Sequence, residues 1–149
     1  MISNNSGHGG AALSRRCFGE RTRHLNQRFP RWFAPKFREY DDRENDLPVD
    51  QHELLALMAP RPVYVASAAL DLWSDPRGEW LARQNASPVY ELLGVSGMIP
   101  RDDGVASNRD SGDHVLYHCR PGAHDMIATD WWQYLDFADR HGKGGGARR

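Results

Sequence analysis

Cysteine is scarce: the 149 residues hold only two, Cys17 and Cys119. Two thiols exclude a disulfide framework and lack the paired spacing of a cysteine-rich metal site. A single bridge between them, and the redox compartment, stay open. Lysine is as rare, with Lys36 and Lys143 against 17 arginines. Neither sign of charge prevails. Nineteen basic and 20 acidic residues leave a formal net charge of -1, which removes the electrostatic case for a nucleic-acid partner. No apolar run approaches the ~20 residues of a membrane span, so no membrane partner is expected. Met1 leads into the polar Ser3-Asn4-Asn5-Ser6-Gly7 rather than a basic segment and an apolar one, so no leader pattern is read and localisation stays open.

What is present suits one polar α/β unit. Hydrophobic residues make up 40% of the chain, with a mean hydropathy of -0.71. The length allows no more than one domain of the usual ~100–150 residues. Arginines and acids interleave from Arg15 to Asp46. Such interleaving predicts a solvated mixed-charge stretch; an anion-recognising arginine surface is the alternative. Gly7, Gly9 and Gly10 mark a tight turn, residues 10–15 a helix start, and Phe29 to Tyr40 a packed irregular loop. Asp50, with Glu53 three residues on, starts a helix that Pro60 ends. Residues 62–68 are short, β-branched and apolar, as in a strand covered on both faces. Asp75-Pro76 opens a helix to about Asn85, and Ser87-Pro88 a second, short one ending at Gly94. Residues 95–112 predict a long surface loop, 114–119 a strand, and Thr129 the cap of a helix from Asp130 to about Arg140. This alternation predicts a mostly parallel sheet with flanking helices, within residues 1–141. Residues 142–149 predict a disordered Gly/Arg tail.

In such sheets functional groups sit beyond the carboxyl ends of strands. Two positions qualify: Asp71 after the first predicted strand, and His124 after the second. An acid followed by a histidine is the closing half of the α/β-hydrolase order of nucleophile, acid and histidine. The carboxylate would hold the imidazole in one tautomer, and the imidazole would shuttle the nucleophile's proton. No Gly-x-Ser-x-Gly elbow is present. Ser6 follows no complete strand, and Gly94-Val95-Ser96-Gly97 lacks the spacing. A zinc site from His118, Cys119, His124 and Asp125 competes, but strand alternation sends His118 and Cys119 to opposite faces. No metal and no cofactor are therefore predicted. His8, His24 and His52 read as polar loop or helix-surface residues.

Five blocks then resemble one family. They are SGHGGAALSRR (Ser6 to Arg16), RHLNQRFPRWF (Arg23 to Phe33), the stretch from Leu47 to Glu79, YHCRPGAHD (Tyr117 to Asp125) and DWWQYLDFADRH (Asp130 to His141). Together they resemble the C-terminal half of glucuronoyl esterases, the 4-O-methylglucuronoyl methylesterases of carbohydrate esterase family fifteen. The resemblance implies an incomplete α/β-hydrolase fold, with Met1-Ile2 in a core strand. It implies cleavage of esters between xylan glucuronic acid and lignin alcohols by a Ser–His–acid triad. Carried over, His124 is the base and Asp71 the acid. Other members place a glutamate in the earlier glycine-containing loop, which reads Asn4-Asn5-Ser6 here. Glu20 and Trp73, with Asn26 or Gln27, match positions that contact the glucuronoyl group. The resemblance places the nucleophile and oxyanion donors upstream of these residues, so the expectation is a chain inactive alone. A non-catalytic uronate-binding fragment, or a structural half needing an N-terminal partner, are the alternatives. Members are generally secreted or periplasmic.

Overall fold

A computed structural model describes residues 1–97 and 114–142. The predicted tail beyond Gly142 and most of the predicted 95–112 loop lie outside the described residues. Three parallel strands form the centre: β1 (Ile2–Asn4), β2 (Val63–Ala68) and β3 (Val115–Arg120), in the order β1-β2-β3. Register places Asn4 beside Ala66, and Ala68 beside Arg120. The helices are α1 (Thr22–Arg28), α2 (Gln51–Ala56), α3 (Pro76–Leu92) and α4 (Ala128–Gly142). Among the described residues no helix is long and apolar enough to cross a membrane.

The alternation of side chains along the strands splits the core in two. Val63, Val65, Val115 and Tyr117 pack with Trp80, Ala82, Ala86 and Tyr90 of α3. The intervening residues, Tyr64, Ala66 and Leu116, pack with Tyr134 and Phe137 of α4. Strands β2 and β3 are buried along their whole length, which is why they read as largely apolar runs. Cys119 and His118 fall on opposite faces accordingly, and Cys17 and Cys119 are free thiols.

Four expectations are corrected. The helices read as separate at Asp75-Pro76 and Ser87-Pro88 are one helix, α3, with Pro88 inside it. An interior proline costs ~3 kcal/mol, but Trp80 and Tyr90, nearly or fully buried, each return roughly 2 kcal/mol or more. The expected helix start over residues 10–15 is a single 3₁₀ turn at Ser14–Arg16, whereas α1, not foreseen, follows it. Phe29 to Tyr40 packs only at the surface: Phe29 stacks on Trp32 at 3.9 Å and Phe33 lies 4.7 Å from Phe37, but Trp32 is largely exposed, and Pro35–Tyr40 is a 3₁₀ helix with no buried residue. Finally, α4 begins at Ala128, so Thr129 lies in its first turn. Asp130, in that same turn, reaches back and accepts from Ile127 N, the residue before the helix.

The mixed-charge stretch is in part an anchored wall rather than a solvated one. Glu44 is buried. Its carboxylate pairs with the Arg21 guanidinium and accepts from Thr22 N at 3.2 Å, so it secures the start of α1 from 22 residues away. Arg16 pairs with the buried Asp75 at 2.7 Å. Asp50 accepts from Ser14 N at 2.7 Å and Arg15 N at 3.2 Å as well as from Gln51 N of α2. His8 is buried, not a polar loop residue; its Nε2 lies 2.9 Å from Thr22 Oγ1, and burial pushes its pKa down.

Candidate active site

Asp71 and His124 meet at the carboxyl end of the sheet. The segment after β2 turns at once into a 3₁₀ turn, Leu72–Ser74, whose cap is Asp71. Its carboxylate accepts from Ser74 Oγ at 2.6 Å and Ser74 N at 3.4 Å. His124 Nδ1 lies 2.7 Å from Asp71 Oδ2. A carboxylate only accepts, so Nδ1 carries the proton and Nε2 keeps its lone pair. Asp71 is buried, while the His124 side chain is 66% exposed. The geometry thus presents a bare imidazole nitrogen to a cleft, with a buried carboxylate behind the ring.

The cleft has a volume of about 570 Å³ and reaches from His124 past Trp73, Glu20 and His24 to Trp32. Gly19 lets two of these residues, Glu20 and Trp73, come together. At φ +65°, a Cβ there would meet Trp73 O at 2.4 Å, so only glycine lets Glu20 N donate to Trp73 O at 2.8 Å. Burial pushes the Glu20 pKa up, against the Trp73 indole and the Gly9 and His8 amides, which favour its charged form. A carboxylate beside a half-exposed indole can hold sugar hydroxyls and pack against a ring.

The turn after β1 is held from beneath by a residue the sequence did not single out. Glu79 of α3 is fully buried. One of its oxygens accepts from Ser6 N at 2.7 Å, Ser6 Oγ at 3.0 Å and Gly7 N at 3.2 Å; the other accepts from Ser67 Oγ of β2 at 2.5 Å. Burial outweighs these donors and pushes its pKa up to about 7. Ser6 and Gly7 both line the cleft, so Glu79 fixes part of the wall.

Of the residues predicted to contact a ligand, Glu20 and Trp73 line the cleft with His124. Asp71 stands behind His124. Asn26 and Gln27 do not line it. On α1, His24, Leu25 and Arg28 share the cleft side at helical spacing. Asn26 is buried on another side and donates to Asp41 Oδ1 at 2.6 Å, while Gln27 is exposed. His24 sits 4.9 Å from the Trp73 ring. Its role as wall was not legible because α1 carries too little apolar pattern to be read. His118 is occupied by Asp130 and Tyr64 rather than facing His124.

Comparison with known proteins follows this geometry. The family profile described as "Glucuronyl esterase, fungi" matches residues 1–94. A carbohydrate esterase from an unknown prokaryotic organism is 51% identical over 144 residues, covering 97% of this chain and 33% of its own length. Among solved structures, a promiscuous esterase of carbohydrate esterase family 15 from a marine bacterial metagenome superposes with a TM-score of 0.88 at 51% identity. It covers 94% of this chain and 35% of its own. A glucuronoyl esterase from Solibacter usitatus superposes at 0.85 with 54% identity over the same shares. The chain therefore spans about a third of the length of the relatives it matches.

Proposed function

We propose, from the premise that this chain belongs to the glucuronoyl esterase family, that it supplies the acid and base of a Ser–His–acid ester hydrolase. The observation that carries the reading is the 2.7 Å contact between His124 Nδ1 and Asp71 Oδ2 at one end of the cleft that Glu20 and Trp73 line. The substrate class is an ester of xylan glucuronic acid with a lignin alcohol, and the nucleophilic serine and oxyanion donors come from outside these 149 residues.

In that reaction His124 Nε2 takes the serine proton as the hydroxyl adds to the ester carbonyl. The imidazolium is stabilised by the Asp71 carboxylate. It then gives the proton to the departing alcohol, leaving a glucuronoyl-serine. Water repeats the sequence: Nε2 takes its proton, the acyl–serine bond breaks, and the serine oxygen recovers the proton. Glu20 and the Trp73 indole orient the sugar. The partner that completes the site adds to β1, which among the described residues has a strand neighbour on one side only. Beside it lies a cavity of about 480 Å³ bounded by Ile2, Pro62 and Phe137.

The test is a graft. This chain replaces the matching third of the 51% identical carbohydrate esterase, and release of alcohol from a benzyl glucuronate ester is followed. The graft turns over, and the 149-residue chain alone does not. Turnover by the chain alone that disappears on His124→Ala contradicts the division of labour proposed here.

A further inference from the structure

We propose that Arg120 is the positioning residue for the base: its guanidinium holds the two backbone carbonyls that flank His124. The inference rests on the reading of His124 as base. It goes beyond it by assigning the loop's placement to a buried arginine on the far face of the sheet.

Arg120 ends β3 on the face that packs against α4, and it is buried. Its Nη2 donates to Ala123 O at 2.9 Å and to Asp125 O at 2.7 Å. Its Nη1 donates to Pro121 O at 3.1 Å. The loop from Pro121 to Asp125 is thus wrapped around one planar fork, with His124 between the two carbonyls bound to the same nitrogen. Gly122 makes the wrap feasible, since at φ +102° a Cβ would meet Arg120 Nη1 at 3.2 Å.

The fork is itself fixed. Arg120 Nε donates to Asp130 Oδ2 at 2.9 Å, an oxygen that also accepts from Ile127 N at 2.9 Å. His118 Nε2 meets Asp130 Oδ1 at 2.8 Å, and His118 Nδ1 lies 2.8 Å from Tyr64 Oη. The Asp130 carboxylate only accepts, so Nε2 carries the proton and the Tyr64 hydroxyl donates to Nδ1.

A second set of donors reaches the same point. Asp125 O also accepts from Asn5 Nδ2 at 2.9 Å and Asn4 Nδ2 at 3.2 Å. One carbonyl with two lone pairs therefore gathers three donors, from the ends of both β1 and β3. The acid's loop is tied to the base's loop as well: Ala69 N donates to Arg120 O at 2.8 Å and Leu70 N to Gly122 O at 2.9 Å. Among the described residues the His124 side chain hydrogen-bonds to Asp71 alone. Its ring is therefore aimed by its backbone, and its backbone by Arg120.

The test is ¹⁵N-histidine NMR of the 149-residue chain above the ordinary titration range of histidine. The parent shows a downfield His124 Nδ1–H resonance from the bond to Asp71. Arg120→Lys keeps a charge, but its single ammonium nitrogen cannot meet Asp130 and the loop carbonyls together as Nε and Nη2 do, so that resonance is lost and the tautomer moves toward that of free imidazole. Asn5→Gly removes one donor to Asp125 O without stranding a buried charge and without straining the φ of +43° there. It weakens the resonance in the same direction, and it decides the matter if Arg120→Lys does not fold. A folded Arg120→Lys, or failing that Asn5→Gly, with the parent's His124 spectrum overturns the positioning role and leaves the acid–base reading intact. A parent with no Nδ1–H bond to Asp71 overturns both.

Discussion

Asp71→Asn lowers kcat of the grafted esterase on the order of 10⁴-fold, with KM little changed. The asparagine fits the space but not the bonding. Asp71 Oδ2 accepts from both His124 Nδ1 and Ser74 Oγ, and Oδ1 faces Ser74 N at 3.4 Å. If the amide nitrogen faces His124, Nδ1 must become the acceptor. The proton then sits on Nε2, which is no longer a base. If the amide oxygen faces His124, the NH₂ opposes the Ser74 amide, donor against donor. In either orientation the imidazolium loses its counter-charge. Steady-state rates on the benzyl ester against pH measure this. A variant within about tenfold of the parent, a barrier change of only ~1.4 kcal/mol, would remove Asp71 from the acid's role.

Glu79 gives the largest expected effect on stability. Its carboxyl titrates near 7 in the fold against an ordinary 4.5. An acid whose pKa is raised by folding contributes its full stability below the unfolded value and loses it as pH rises through the folded one. Between pH 4.5 and 7 the chain should therefore lose about 3 kcal/mol from this group alone. Glu79→Gln has no proton to lose. Urea unfolding of the two chains across that window should show a fall in the parent that is about 3 kcal/mol steeper than in the variant. Parallel curves would mean that the four donors around Glu79 already offset its burial. The consequence reaches the cleft, because the protonated and ionised carboxyls present different oxygens to Ser6 and Ser67.

Much of this was legible in the sequence where the cause is local. The two buried strands announce themselves as short β-branched runs, and their exit loops deliver Asp71 and His124. The period of two was enough to separate His118 from Cys119. What was not legible depends on partners far along the chain. α1 has a single buried leucine, Leu25, and exists because Glu44 caps it from another segment. Without α1, the cleft side of His24 and the off-cleft side of Asn26 and Gln27 could not be assigned. Pro88 read as a helix boundary because its local rule is strong; the buried face of α3 overrides it. Glu79 and Arg120 looked like ordinary charged residues, since nothing local marks a carboxylate that collects amides from a turn 72 residues away or a guanidinium that faces inward. An arginine beside the loop that carries His124, with an aspartate at the next helix start, is the one signal that was available.

The central claim is that this chain contributes the base. The direct measurement is kcat of the grafted esterase with and without His124→Ala, on protein shown to be folded. The account predicts a loss of about 10⁶-fold, near that of removing the nucleophile itself. A His124→Ala graft that retains its rate would contradict it.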